Sequence, residues 1–323
     1  MNESGQPLYV DRSNDIVFRP PYLQTNAKLT AWVLPSNLTA LQAVCDNALN
    51  NPMGGASATT QYRPILGAVF LVLAQMQKVS SLDPRDSQRG WVPEEDVCFW
   101  ILTAAYVNGQ FDHLAYYIPY IWVTSPYTLA TGREVYGYLK SFGYAKLAES
   151  PSDPGPLWGD GLVLATYTPE TEVTRERIIS LTQGPTLLGT PQTFGAGQQT
   201  AAVNALLDRI IPTYGAPGVD WTRVRTLAAN MSLPIVFLKQ FRDCVDPTAA
   251  CYQAVVEANA SVVQMNAAQC LPTAWSLTLQ QYASATILDD LALSAGPTTV
   301  NLGFWLDYTF SQDLGRVIWS AGT

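Results

Sequence analysis

The chain has 323 residues, 48% hydrophobic and only 14% charged, with 18 Lys and Arg against 26 Asp and Glu for a net charge of −8. A charged share well below the usual ~25% describes a globular protein with a large core and excludes a disordered chain. Without a cationic excess to neutralise phosphates, nucleic acid and anionic membrane are excluded as expected partners.

Residues 1–27 read as irregular, with Arg19-Pro20-Pro21 forcing an extended course. Residues 29–34 read as a strand, and residues 36–39 offer N-caps for a helix over 39–49. Beyond the Pro52-Met53-Gly54-Gly55 break, a continuous apolar run from 62 to about 78 predicts one buried strand. Aromatic and β-branched residues from 91 to 142 predict further strands, turned at Asn108-Gly109 and interrupted at Ser125-Pro126. Residues 127–134 read as a short helix or turn ahead of a strand over 136–142. Strands are expected at 159–168 and 177–182, then a loop-rich stretch at 184–199 and a helix over 201–211 ended by Pro212. Residues 233–241 and 251–265 read as strands about an Asp246-Pro247 turn, while 277–293 fits strand or helix. No repeat or linker divides the chain, so the pattern predicts a single α+β domain of mainly antiparallel sheet.

The single histidine, His113, would have to serve alone in any Ser-His-Asp or Cys-His mechanism. Five scattered cysteines without a C-x-x-C leave no expectation of a metal site. No apolar run reaches the ~20 residues of a membrane span, and the polar N-terminus lacks the regions of a signal peptide. A cytoplasmic protein is expected.

Between positions 97 and 131 the only formally charged side chain is Asp112, and then Arg133, Glu134 and Lys140 arrive together. If 136–142 is a strand, alternation places Tyr136, Tyr138, Lys140 and Phe142 on one face. Desolvation among three rings would favour a neutral amine, which is a nucleophile towards carbonyl carbon. The same alternation suits a half-wet sheet on which Lys140 snorkels past tyrosines. The residues alone do not choose.

Gly132-Arg133-Glu134, Tyr138-Leu139-Lys140 and Gly143-Tyr144-Ala145-Lys146-Leu147 resemble the signature of the acetoacetate decarboxylase family, a Gly-Arg-Glu followed by Tyr-Pro-Lys-Lys and Gly-Tyr-Pro-Lys. Weaker matches in the right order are Phe18-Arg19-Pro20-Pro21-Tyr22, Leu238-Lys239, Asp246-Pro247 and Cys251-Tyr252-Gln253. The resemblance implies a cone- or barrel-like α+β fold over 1–323, an insertion at about 183–230, and a homo-oligomer. It implies that Lys140 forms a Schiff base with a keto acid, with no cofactor. The chain departs from the family where the second lysine becomes Ser141 and the N-terminal Asn-Arg becomes Asn26-Ala27. One family glutamate falls on Leu71 and another near Cys98, two residues after Asp96.

Asp96 is therefore the candidate proton-transfer group, with a solvated acidic turn over 93–96 as the alternative. Arg19 and Lys28 are candidates to hold a substrate carboxylate. Arg133 and Glu134 either touch substrate or form an ion-paired turn that presents the lysine. Tyr138 and Tyr120 are candidate pocket walls. The expected activity is decarboxylase-like imine chemistry on a keto acid. The alternatives are an imine-based aldolase–dehydratase joining an oxo acid to an aldehyde, or a degenerate relative that binds an apolar ligand.

Overall fold

The structure, a computed structural model, describes residues 7–12, 16–187 and 191–322. The first half of the chain comprises β1 (Tyr22–Pro35), α1 (Leu38–Cys45) running into a π-helical turn (Asp46–Asn50), β2 (Thr60–Pro64), β3 (Ala68–Ser81), β4 (Val92–Val107), β5 (Gln110–Val123), α2 (Pro126–Val135), β6 (Lys140–Lys146) and β7 (Leu157–Val163). The second half comprises β8 (Thr174–Thr186), β9 (Thr193–Gly195), α3 (Gln199–Tyr214), α4 (Trp221–Ala228), β10 (Ser232–Arg242), β11 (Ala250–Cys270), β12 (Thr273–Leu279), α5 (Ile287–Asp290), β13 (Thr298–Val300), β14 (Gly303–Gln312) and β15 (Arg316–Ser320).

Seven strands follow one another in the order β5-β10-β11-β14-β1-β3-β4, and β4 pairs with β5 to close the ring. Closure removes the open sheet edges that long apolar strands would otherwise expose. β6 then pairs in parallel with β5 and leads into a second sheet, β6-β7-β8-β12-β13. Each central strand thus meets apolar surroundings on both faces. On β3, Phe70, Val72 and Ala74 belong to the core inside the ring, and Leu71 and Leu73 to the core between ring and second sheet. This double burial explains why the sequence there is a continuous apolar run and not an alternating one.

The α+β reading with mainly antiparallel pairing is observed, with several local differences. The run over 62–78 is two strands, because Ile65-Leu66-Gly67 leaves the ladder to hold α3. The Gly67 N–H donates to the carbonyl of Tyr214 at 2.7 Å, and Ala216 N–H donates to that of Ile65 at 2.9 Å. α3 runs through Pro212 to Tyr214 instead of stopping, since a proline deletes one donor without forbidding helical φ. The stretch 277–293 divides into the end of β12, an irregular link and the short α5. Residues 188–190 of the expected loop lie outside the described residues.

Two turns behave as their residues dictate. Asn108 and Gly109 both take positive φ, 49° and 76°, and join β4 to β5 as the pair predicts. The expected lysine strand begins only at Lys140, because α2 ends at Val135 and Gly137 then takes φ 96°. A side chain at 137 would meet the backbone of Lys239 at 2.5 Å, so glycine there serves both the turn and a close approach.

Candidate active site

Three elements converge on Lys140. It opens β6, opposite Ile121 of β5, and its side chain runs back beneath α2. Gly132 makes that path possible: a Cβ there would lie 2.8 Å from Lys140 Cδ and 3.2 Å from Nζ. Arg133, the next residue, donates through Nη1 to the carbonyl oxygen of Lys140 at 3.0 Å. Ser125 caps α2, accepting the Thr128 N–H, and so fixes the turn whose Thr128 carbonyl receives Lys140 Nζ at 3.2 Å.

The lysine is 7% exposed, and its ammonium donates to Glu94 Oε1 at 2.5 Å. It also lies 5.0 Å from the ring centre of Tyr138, a cation–π distance. Glu94, itself buried, stands on β4 with Asp96, Cys98 and Trp100 along one strand face. Hydrogen bonds run down this face at two-residue steps. Trp100 Nε1 donates to Cys98 Sγ at 2.9 Å, and the Cys98 thiol donates to Asp96 Oδ1 at 3.6 Å. Burial pushes the Asp96 carboxyl up to about 8, and the negative charge of Glu94 adds to the rise against the opposing pull of Lys140 and Cys98. Asp96 is therefore mostly protonated at neutral pH while Glu94 is paired with the amine. The Tyr138 hydroxyl accepts from Gln312 Nε2 at 3.0 Å, and burial raises its pKa.

These groups face a cavity of about 260 Å³ inside the ring. Tyr136, Tyr138 and Lys140 all line it, although 136–139 is not strand, whereas Phe142 does not. Among the described residues that line the cavity, Lys140 is the only cation. No cluster of three His, Cys, Asp or Glu side chains among the described residues could hold a metal. No helix among them is long and apolar enough to cross a membrane.

No family model matches the chain, and neither does any curated protein. Solved structures do match. The acetoacetate decarboxylase of Legionella pneumophila aligns over 99% of this chain and 94% of its own, with a TM-score of 0.60 and 14% identity. The chain has the acetoacetate decarboxylase fold. An acetoacetate decarboxylase-like enzyme from Sphingomonas wittichii RW1 aligns over 95% of this chain and 96% of its own, at TM-score 0.55 and 15% identity. The enduracididine biosynthesis enzyme MppR, complexed with pyruvate, aligns over 95% and 93%, at 0.54 and 17%.

Within the acetoacetate decarboxylase fold the sequence-selected residues separate into two groups. Lys140, Asp96 and Tyr138 come together on the cavity. Arg19 does not: its guanidinium is engaged by the buried Asp86 at 2.7 Å and by Asp11. Lys28 pairs with Glu149 at 3.1 Å, away from the cavity lining. Tyr120 points from the opposite face of β5, where its hydroxyl meets Asp290 and Thr286 and its ring stacks on Trp122. A one-residue step reverses a strand residue's face, which is why Tyr120 and Ile121 part company. Arg133 and Glu134 lie outside the cavity lining; Arg133 holds the lysine's backbone, and Glu134 acts electrostatically on Lys239.

Glu94 is the residue to which sequence reasoning gives too little weight. The run 93–96 resembles a solvated turn, yet β4 begins at Val92, ahead of it. Counting back in twos from Trp100 through Cys98 and Asp96 reaches Glu94, so strand period holds the signal.

Proposed function

We propose that this protein is a cofactor-free enzyme that binds a keto acid as an imine on Lys140 and releases its carboxyl group as CO2. The observation that carries the reading is the amine of Lys140, buried in an apolar cavity with a carboxylate at 2.5 Å to take its proton. Proton transfer to Glu94 Oε1 frees the amine to attack the ketone carbon. The carbinolamine hydroxyl takes that proton back and leaves as water, and the C=N bond becomes a cationic iminium. The bond to the carboxylate then breaks and its electron pair moves into an enamine. Protonated Asp96 supplies a proton to the enamine carbon, and water hydrolyses the new imine to ketone and free lysine.

Charge favours the bond-breaking step. Among the described residues the cavity offers a carboxylate no cation besides the lysine nitrogen, so substrate binding places an iminium and a carboxylate together in apolar surroundings. Loss of CO2 annihilates both charges, which a poorly solvating site favours over holding them. A second reading, aldol addition and dehydration on the same imine, is supported by the fold shared with MppR, whose structure with a condensation product of pyruvate and imidazole 4-carboxaldehyde aligns at TM-score 0.53.

Borohydride trapping with a panel of 2-oxo and 3-oxo acids, followed by peptide mass mapping, tests the reading. The expected result is a reduced adduct on Lys140, absent in Lys140→Ala, whose mass has lost CO2 for the 3-oxo acids. An adduct that retains the carboxyl group and grows when an aldehyde is added selects the aldol reading. Absence of any adduct on Lys140 across the panel overturns both.

A further inference from the structure

The catalytic groups occupy only one end of the cavity. Along β4 the lining passes from Glu94 and Asp96 through Cys98 to Trp100 and Leu102, and the eight residue steps from Glu94 to Leu102 of antiparallel strand extend about 27 Å. On neighbouring strands the same direction leads to Tyr116 and Phe304, opposite Leu102 and Ala31 respectively. The bore ends against α3, which presents Leu206 and Ile210, four residues apart on one helix face. Such a stripe normally packs into a core. Here it walls a space, and its helix is fastened to the ring by the Gly67–Tyr214 and Ile65–Ala216 hydrogen bonds.

An imine step on a small acid such as acetoacetate uses only the polar end. A close-packed interior keeps few voids larger than water, so a bore of aromatic and aliphatic side chains is a place for apolar matter. We infer that the bore between Trp100 and α3 is the binding subsite for a hydrocarbon tail, and that the substrate is a 3-oxo acid R–CO–CH2–COO⁻ with R an unbranched chain of several carbons. This inference rests on the imine reading of Lys140. With the carbonyl carbon at Lys140 Nζ, the CH2–COO⁻ arm stays beside Asp96 and R points down the bore. The balanced reaction is R–CO–CH2–COO⁻ + H⁺ → R–CO–CH3 + CO2, so the product is a methyl ketone.

The experiment compares acetoacetate, 3-oxohexanoate, 3-oxooctanoate and 3-oxodecanoate. Initial rates of CO2 release are measured with the native protein, and affinities of the matching methyl ketones by calorimetry with Lys140→Gln, which forms no imine. The expected result is that kcat/KM and ketone affinity both rise about three- to four-fold per added methylene until the bore is full. In Leu206→Phe the optimum moves to a shorter chain, and in Leu206→Ala to a longer one, so the inference does not hang on one variant's folding. CO2 release and trapping on Lys140 without chain-length preference would overturn the tail subsite and leave the imine reading standing. Affinity that rises with chain length, with no adduct on Lys140 for any acid, would uphold the apolar subsite and remove the lysine chemistry from it.

Discussion

Glu94 and Glu257 are both buried, at 4% and 3% exposure, and they are treated differently. Glu257 gathers three partners: the Tyr62 hydroxyl at 2.7 Å, His113 Nε2 at 2.7 Å and Arg316 Nη2 at 2.8 Å. Burial alone would raise its pKa, but those bonds outweigh it and hold the carboxyl below the usual glutamate range. At the other site two carboxyls, Glu94 and Asp96, stand near one ammonium, and burial, with the charge of Glu94 added and no further cation to offset it, raises the pKa of Asp96. A buried charge that only joins strands is saturated with donors. The cluster proposed to move a proton is left one cation short.

The largest effect that would break this contrast is on stability. Glu257→Ala strands the His113 imidazole and opens the junction of β2, β5, β11 and β15, at a cost of about 3–5 kcal/mol. Chemical denaturation reads this loss, while trapping on Lys140 in the folded fraction stays at the native rate. The pH profile of the native cluster has a definite sign. Glu257, with a lowered folded pKa, contributes stability above the ordinary glutamate range that is lost as pH falls through its folded value. His113 is raised by Glu257 and Asp112 against the pull of burial, so its share is full below the ordinary histidine range and lost as pH rises through its folded value. Stability from this cluster is greatest between the two. A flat profile would mean the contacts are neutral.

Asp96→Asn is next in size and carries opposite signs for stability and rate. The native carboxyl has its folded pKa raised, so its contribution to stability is full below the unfolded value and lost as pH rises through about 8. Asparagine removes that loss, and the melting temperature of the variant should gain on the native protein from about pH 4 to about pH 8 and level off above it. Turnover should fall by about 10²–10⁴-fold, the usual worth of a positioned acid. If the proposed decarboxylation holds, kcat of the native protein should decline above about pH 8, where Asp96 ionises. A melting difference independent of pH would show that Asp96 titrates as an ordinary surface carboxyl.

The same two sites mark how far the molecule is legible in its sequence. The strands over 92–107 and 110–123 and the Asn108-Gly109 turn between them follow from local residue types and spacing, whereas Lys140 is singled out by the family-like signature around it, since alternation alone leaves it equally a snorkelling surface lysine. Glu94 is harder, because an acidic triplet beside a proline satisfies a turn as well as a strand, and only the pairing of β4 with β3 and β5 decides. The Glu257 cluster is illegible for a different reason. Tyr62 and His113 lie 195 and 144 positions from Glu257, and nothing local announces a contact at that separation. The helical period of α3 is plain in the sequence. Its placement against the ring is not, since that depends on backbone hydrogen bonds at 65–67, inside what reads as a continuous strand.

Gly132→Ala sharpens the comparison more gently. Helical residue 132 has no positive φ, and alanine is favoured over glycine in a helix by about 1 kcal/mol, so helix formation is not impaired. The new methyl would nevertheless overlap Lys140 Cδ and Cε and push Nζ off the Glu94 oxygen. A displacement of this kind costs about tenfold in kcat with little change in melting temperature. Native trapping rates would mean that the lysine reaches Glu94 by a path that does not cross α2.

The smallest effects concern the cations expected to hold a carboxylate. Lys28 is paired with Glu149, a carboxylate whose side chain is 70% exposed, so Lys28→Ala should cost well under about 1 kcal/mol. Arg19→Ala should cost somewhat more, because Asp86 is buried and takes two of its bonds from Arg19, one from the backbone N–H that the variant retains. Neither variant should change KM for a 3-oxo acid, since neither side chain lines the cavity. A roughly tenfold rise in KM for Arg19→Ala, with the fold intact, would put a guanidinium back at the substrate. It would also remove the charge argument for decarboxylation, because a carboxylate held by arginine has little to gain from leaving as CO2.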